Sequence, residues 1–313
     1  METIILSHPH DFKKEQLPPC VLALGYFDGI HIGHQKVITT AKQTADELGV
    51  MSAVMSFHPH PSVVLGKNNV HWTYLTPLEE KKKVLKQLGI DRFYLVTFDH
   101  AFASLPPQDF LDQYVKELHA VHVVTGFDFT YGKLGAGNTD TLQFSSDSCF
   151  GLTVIGKVER DGIKVSSTLI RRTLQEGSVA KLKEYFGRLY TVEGRVIPGD
   201  QRGRTIGFPT ANLDTGSYTL PGVGVYAVLA EYEGKKYSAM ANIGFKPTFQ
   251  KTAEKPNLEV HLFDFSKSIY GETLKIHWIQ RIRSEVKFAS VQELVRQLEE
   301  DKERASAIIN QLQ

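Results

Sequence analysis

The fold is decided by the stretch Gly25-Tyr26-Phe27-Asp28-Gly29-Ile30-His31-Ile32-Gly33-His34. It begins where the short apolar run Val21 to Gly25 ends. It leads into His34 to Leu48, where Val37, Ile38, Ala41, Ala45 and Leu48 recur at helical spacing before Gly49. A strand, a glycine-containing turn and a helix start place backbone N–H groups and the positive helix end where an anion can sit. His31 and His34 are three residues apart and share one face of the first turn. Gly33 between them lets a ligand approach the backbone. Two imidazoles at such a position suit a triphosphate, because they can donate hydrogen bonds to charge growing on the α-phosphate. A His-x-x-His pair alone is more often structural than catalytic, and metal binding or plain turn chemistry compete with this reading. Strand, glycines and helix start together favour phosphate chemistry.

Outward from this turn, residues 1 to about 186 alternate between strands and helices. Val50 to Phe57, Phe93 to Phe98 and Val121 to Thr125 read as strands, and Gln108 to His119 as a helix. Thr76-Pro77-Leu78-Glu79 has the pattern of a capping box with proline at the first helical position, opening a helix to Leu88 that Gly89 ends. This βαβα rhythm predicts a parallel sheet with covering helices, whose ligands bind at the carboxyl ends of the strands. Beyond about residue 187 the rhythm changes. Tyr190 to Ile197, Gly224 to Tyr232, Lys235 to Ala241, Leu258 to Phe265 and Leu274 to Ile279 all read as strands, with Glu233-Gly234 as a hairpin turn. A second capping box, Ser290-Val291-Gln292-Glu293, opens a helix with Leu294, Leu298, Ala305, Ile308 and Leu312 on or near one face. Strands followed by one helix predict a small barrel with a terminal helix packed on it.

The chain has 313 residues, comfortable for two domains. Its hydrophobic share of 42% and charged share of 23% are those of a globular protein, which argues against disordered and fibrous classes. A formal net charge of +1 lacks the basic excess of a nucleic-acid binder. Cys20 and Cys149 stand far apart in no metal-ligand spacing, which fits a reduced cytosol. Residues 1 to 10 show no signal-peptide pattern. The longest apolar stretches, such as Val21 to Leu24, fall far short of the ~20 residues that span a bilayer. A cytoplasmic protein with neither a nucleic-acid nor a membrane partner is expected.

The decisive stretch resembles the His-x-Gly-His motif of the nucleotidyltransferase superfamily. In the wider form Gly-x-Phe-Asp-Gly-x-His-x-Gly-His it resembles the FAD synthetase branch. Three further segments agree in order. Phe57-His58-Pro59-His60-Pro61 is similar to the branch's Phe-x-Pro-His-Pro. Gly126-Phe127-Asp128-Phe129-Thr130-Tyr131-Gly132 is similar to Gly-x-Asp-Phe-x-Phe-Gly, with Tyr131 replacing phenylalanine. Ser166-Ser167-Thr168-Leu169-Ile170-Arg171 is similar to Ser-Ser-Thr-x-x-Arg. Downstream of Gly132, Lys133 to Asn138 departs from the family pattern, and no role is carried over there. The resemblance implies an ATP site of Gly25, Phe27, Asp28, Gly29, His31, Gly33, His34, Ser166, Ser167, Thr168 and Arg171, with His31, His34 and Arg171 catalytic. It implies an FMN site of Phe57, Pro59, His60, Pro61 and Asp128. Rings and prolines offer a flat apolar surface to an isoalloxazine. A serine can cap a helix while a hydroxyl meets phosphate, and Arg171 can neutralise the leaving pyrophosphate.

In the second half, Gly199-Asp200-Gln201-Arg202-Gly203-Arg204 leads into Thr205-Ile206-Gly207-Phe208-Pro209-Thr210-Ala211-Asn212-Leu213. In an extended stretch Thr210 and Asn212 face the same side, as hard oxygen ligands for Mg²⁺ and phosphates would. A loop in which both satisfy the backbone is the competing reading. The segment resembles the riboflavin kinase signature Gly-Phe-Pro-Thr-Ala-Asn. The likeness continues through Gly224-Val225-Tyr226-Ala227, Asn242-Ile243-Gly244-Phe245-Lys246-Pro247-Thr248-Phe249, Glu259-Val260-His261-Leu262-Phe263-Asp264-Phe265 and Ile282-Arg283-Ser284-Glu285-Val286-Lys287-Phe288. It implies ATP contacts from Gly203, Gly207, Phe208, Pro209, Thr210 and Asn212, a metal held by Thr210 and Asn212, and Glu259 as catalytic base. Arg283 and Phe288 fall at flavin-binding positions, while His261 and Arg283 are both open between a functional and a structural role.

The two motif sets occur in the order of the prokaryotic bifunctional riboflavin kinase/FAD synthetase family. The expected fold is therefore α/β: a Rossmann-like nucleotidyltransferase domain with a parallel sheet over residues 1–186, and a small β-barrel riboflavin kinase domain with a terminal helix over 187–313. The implied substrates are riboflavin, FMN and ATP with Mg²⁺, and no tightly bound organic cofactor is expected. A single-activity adenylyltransferase, a flavin-sensing regulator and a nucleotidyltransferase for another substrate fit less well, because both halves keep reactive residue types.

Overall fold

Six parallel strands build the first unit: β1 (Glu2–Leu6), β2 (Cys20–Leu24), β3 (Met51–His58), β4 (Arg92–Thr97), β5 (Ala120–Gly126) and β6 (Gly151–Ile155), in the spatial order β1-β4-β3-β2-β5-β6. The computed structural model describes residues 1–66, 72–146, 149–199, 202–245 and 256–312; Asp200, Gln201 and Lys246 to Phe249, singled out above, lie outside the described residues. The chain divides into two compact units, Met1–Ser166 and Ser167–Gln313. In the first, β2 is central and buried along its whole length, which explains its unbroken apolar run. Leu22, Leu24, Met55, Tyr94 and Val96 pack on one face with Phe110 and Tyr114, while Val21, Ala23, Val54, Phe93 and Leu95 pack on the other with Val37, Ile38 and Leu85.

The helices of this unit are α1 (Ile32–Leu48), α2 (Pro61–Leu65), α3 (Leu78–Gln87), α4 (His100–Ala103), α5 (Pro107–Leu111) and α6 (Thr139–Ser146), and a small hairpin pairs β7 (Glu159–Arg160) with β8 (Ile163–Lys164). Two local expectations need correction. The capping box at Thr76 does not form: the N-cap of α3 is Pro77, with no side-chain cap, because the Thr76 N–H donates instead to buried Asp28 Oδ1 at 3.1 Å. The expected helix over Gln108 to His119 is α5 followed by a π-helical turn, Asp112–Lys116.

The second unit contains α7 (Ser167–Gln175), α8 (Leu182–Phe186), α9 (Arg202–Thr205), α10 (Val291–Asn310) and six strands. These are β9 (Thr191–Ile197), β10 (Ala211–Asp214), β11 (Gly224–Tyr232), β12 (Lys235–Gly244), β13 (Asn257–Leu262) and β14 (Thr273–Arg283), closed in the order β10-β13-β12-β11-β14-β9. Tyr226 and Trp278 fill the barrel with rings 5.1 Å apart, edge to face. At the expected hairpin turn, Glu233 and Gly234 take φ of 50° and 76°, the geometry that matches strand twist. Alternation along β13 turns Leu258, Val260 and Leu262 inward and leaves Asn257, Glu259 and His261 on the outer face.

Helix α10 starts where expected: Ser290 accepts from the Glu293 N–H at 3.2 Å. The Glu293 carboxylate accepts from Ala289 N–H rather than from Ser290. The helix packs Ala305 and Ile309 on the barrel, with Val295, Leu298 and Ile308 partly buried, while Leu312 is exposed. Cys20 is buried and Cys149 exposed, both as free thiols. Among the described residues, no helix is long and apolar enough to cross a membrane.

Candidate active sites

The turn between β2 and α1 is held by strained backbone and tight packing. Phe27, Gly29 and Ile30 have φ of 52°, 95° and 42°, and Phe27 and Ile30 are buried in the core. Gly25 is required because a Cβ there would lie 2.7 Å from the Phe27 ring. His31 is the N-cap of α1. Its Nδ1 accepts from the His34 N–H at 3.3 Å, and the two rings stack with centroids 3.7 Å apart. The ring of His31 also lies across Gly33, where a Cβ would come within 3.1 Å of it.

This arrangement sets the protonation of both imidazoles. Burial lowers His31 to about 4, and Asp128 opposes that shift while Lys164 adds to it. Burial also holds His34 well below the usual histidine range, with further depression from His31, Lys81 and Lys164. Both rings are therefore neutral near pH 7. With Nδ1 of His31 accepting, its proton sits on Nε2 as a hydrogen-bond donor. Two lysines that the sequence reading did not single out complete the surroundings. Lys164 pairs with Asp128 at 2.6 Å. Lys81 is buried, donates to Tyr26 O at 2.8 Å and Ser56 Oγ at 2.9 Å, and lies 4.9 Å from the Tyr26 ring centroid. Burial lowers Lys81 to about 8, against the pull of Asp28. Lys81 therefore remains largely protonated at neutral pH. It falls on the apolar stripe Leu78, Lys81, Leu85, Leu88 of its helix, the one signal that separates it from Lys82 and Lys83.

The expected flavin segment forms an aromatic cluster. His60 caps α2, its Nδ1 accepting from Ser62 N–H at 3.0 Å. The His60 ring stacks on Trp72 at 3.8 Å and meets Tyr26 edge to face at 4.5 Å. Tyr74 Oη accepts from His60 N–H at 3.3 Å. Trp72 and Tyr74 were missed, although the run Trp72-Thr73-Tyr74 is itself aromatic. Phe57 turns toward the core beside Phe102. Ser166 closes the first compact unit, whereas Ser167, Thr168 and Arg171 stand on α7 in the second. There, Arg171 Nη1 donates to Thr219 Oγ1 at 3.2 Å.

In the barrel, register rather than a turn builds the site. Glu259 of β13 stands directly opposite Asn212 of β10 on one side and Asn242 of β12 on the other. Thr210 Oγ1 donates to Glu259 Oε2 at 3.4 Å. Asn257, two residues before Glu259 and missed in the sequence reading, donates to Glu259 Oε1 at 2.8 Å and to Asn212 Oδ1 at 3.2 Å. Period-two alternation alone places it beside Glu259. The Asn212 amide lies against Gly199, where a Cβ would collide with it.

His261 Nδ1 hydrogen-bonds Pro209 O at 2.7 Å, which anchors the segment before Thr210. Phe208 is buried beside the His261 ring, and its N–H donates to Gly203 O at 2.8 Å. Gly207 has a φ of 86°. These contacts give His261, Phe208 and Gly203 structural duties in shaping the loop. Arg283 is held by buried Asp301 through Nε at 2.9 Å and Nη2 at 2.7 Å, with its guanidinium 5.7 Å from the Phe288 ring centroid.

A parallel α/β unit followed by a closed barrel, each with a cluster of polar side chains, fits a transferase with one nucleotidyltransferase-type and one kinase-type unit. Family models agree: FAD synthetase matches residues 13–169 and riboflavin kinase matches 186–309. A bifunctional riboflavin kinase/FMN adenylyltransferase of Bacillus subtilis is 50% identical over 97% of both chains. One of Listeria monocytogenes is 44% identical over 100% of both, and one of Escherichia coli K12 is 34% identical over 93% of both. The crystal structure named Macrolide-efflux Protein from Streptococcus pneumoniae matches with a TM-score of 0.88 at 35% identity, covering 98% of this chain and 99% of that one. The chain belongs to the bifunctional riboflavin kinase/FMN adenylyltransferase family, with the FAD synthetase domain first and the riboflavin kinase domain second.

Proposed function

We propose that Glu259, Thr210 and Asn212 carry riboflavin phosphorylation, and that His31 and His34 carry adenylyl transfer to FMN. The observation that supports this best is the row of Asn212, Glu259 and Asn242 across three paired strands, with Thr210 on the same carboxylate. In the kinase step Glu259 accepts the proton of the terminal ribityl hydroxyl as its oxygen attacks the γ-phosphorus of ATP and ADP leaves. The Thr210 hydroxyl and the Asn212 amide oxygen are hard donors beside a carboxylate, a set that fits Mg²⁺. When bound with ATP, Mg²⁺ neutralises phosphate charge.

In the second step an FMN phosphate oxygen attacks the α-phosphorus of ATP, the bond to the β-phosphate breaks, and pyrophosphate leaves. His31, neutral and protonated on Nε2, donates to the charge that grows on the α-phosphate without needing a proton from solvent. The ATP contacts assigned to Gly25, Phe27, Asp28, Gly29, Gly33, Ser166, Ser167, Thr168 and Arg171 belong to this proposal. So does an FMN site around Phe57, Pro59, His60, Pro61 and Asp128, to which the rings of Tyr26, Trp72 and Tyr74 lend support. In the barrel, Gly203, Gly207, Phe208 and Pro209 shape the nucleotide loop, and Arg283 with Phe288 faces the flavin. The working boundary between the domains is 186/187, supported by the start of the kinase match at residue 186. A cytoplasmic location suits two free thiols.

The test is a product time course with ATP and Mg²⁺, started once from riboflavin and once from FMN. Riboflavin should give FMN and then FAD, and FMN should give FAD directly. Excess chelator should stop both. Failure to form FMN from riboflavin would refute the kinase assignment.

A further inference from the structure

An amide nitrogen carries two protons and can serve two acceptors at once. In Asn257 both acceptors belong to the kinase site: Glu259 Oε1 at 2.8 Å and Asn212 Oδ1 at 3.2 Å. The two are side by side because Glu259 and Asn212 are direct cross-strand partners, while Asn257 lies two residues before Glu259 on the same face. Across β12, Asn257 stands opposite Gly244. A Cβ on that glycine would lie 2.8 Å from a Glu285 carboxylate oxygen, so Glu285 comes close on that side.

The two oxygens of Glu259 are held unequally. Oε1 takes the short bond from Asn257, whereas among the described residues Oε2 takes the 3.4 Å bond from Thr210 alone. A weak bond gives way readily when Thr210 turns to a ligand, and Oε2 is then free to accept a proton. The strong bond on Oε1 keeps the carboxylate from rotating. The same NH₂ group holds the Asn212 amide by its oxygen, which fixes the hard donor that a cation at this site would use.

We propose that Asn257 is a positioning residue of the riboflavin kinase site, one NH₂ group fixing both the base and the metal-side amide. The inference rests on the roles given above to Glu259 and Asn212. Asn257 touches neither substrate in this assignment and acts through those two groups. Hydrogen bonds to charged groups are the stronger ones, and small misplacements of reacting groups cost ~10²-fold.

Asn257→Ala, Asn257→Asp and Asn257→Ser should be compared with Glu259→Gln in full-length protein, with both activities measured on each preparation. Asn257→Ala should lower kcat for riboflavin phosphorylation ~10- to 100-fold, with KM for riboflavin within about twofold. It should also raise the Mg²⁺ concentration needed for half-maximal rate. Asn257→Asp keeps the shape but loses both donors and should be at least as slow. Asn257→Ser offers one proton, enough for one oxygen, and should fall between Ala and wild type. FAD formation from supplied FMN should be unchanged in all three and reports that the protein is folded. If Asn257→Ala and Asn257→Asp keep kcat within about twofold while Glu259→Gln is inactive, the inference is overturned. A parallel loss of both activities, or a rise in KM alone, overturns it as well. Near-normal phosphorylation by Glu259→Gln would instead overturn the assignment of the base.

Discussion

His31 is carried by a turn in which Phe27, Gly29 and Ile30 take positive φ, whereas Glu259 is carried by a strand paired on both sides. The turn places its imidazole by strain and burial. Burial lowers its pKa to about 4 and so keeps it neutral. The barrel places its carboxylate by register, and hydrogen bonds from Asn257 and Thr210 then orient it. The difference teaches that enclosure keeps an imidazole neutral, while strand register and hydrogen bonds orient a carboxylate that is left partly exposed.

The largest break of this comparison is Glu259→Gln, which keeps the side-chain shape and removes the base. Loss of a general base costs ~10²–10⁴-fold, so FMN formation from riboflavin should fall by about that factor while FAD formation from FMN continues. Product chromatography decides it. His31→Ala and His34→Ala should do the reverse, lowering FAD formation ~10²–10³-fold and sparing FMN formation.

Smaller effects probe how the turn is held. Gly25→Ala would push a methyl to 2.7 Å from the buried Phe27 ring. Overpacking of this kind typically costs ~1–3 kcal/mol, which urea unfolding followed on the FAD synthetase domain would read. Acidity probes the burial of His31 itself. Its folded value is about 4, below the unfolded 6.5, so the unfolded chain takes up the proton first as pH falls. Stability from the neutral imidazole is complete above pH 6.5 and is lost as pH drops toward 4, by about 2 kcal/mol at pH 5. His31→Asn should remove that part of the acid sensitivity, seen as a smaller drop in unfolding midpoint between pH 7.5 and pH 5.

Sequence patterns made the two folds legible because both depend on periodicity. The 3.6-residue spacing of Val37, Ile38, Ala41 and Ala45 and the strand runs in the second half correspond to buried faces in the structure. Motif order singled out His31, His34, Thr210, Asn212 and Glu259 as candidates. What stayed hidden depends on tertiary contact. Lys81 differs from Lys82 and Lys83 in the sequence only by its place on an apolar stripe, and the fold is what buries it beside Tyr26. Thr76 reads as an N-cap until Asp28, 48 positions away, takes its N–H. Asp301 breaks the apolar stripe of α10, and the strand-borne Arg283, with Gln297 beside it, explains a buried carboxylate there.

Riboflavin phosphorylation and adenylyl transfer are proposed to use separate sites, one centred on Glu259 and the other on His31. The direct test mixes two full-length variants, Glu259→Gln and His31→Ala, and supplies riboflavin, ATP and Mg²⁺. Alone, Glu259→Gln should leave riboflavin nearly untouched, and His31→Ala should stop at FMN. Together they should make FAD, the second variant releasing FMN for the first to adenylylate. A mixture that accumulates FMN without FAD, while wild-type protein converts the same FMN, would contradict the account.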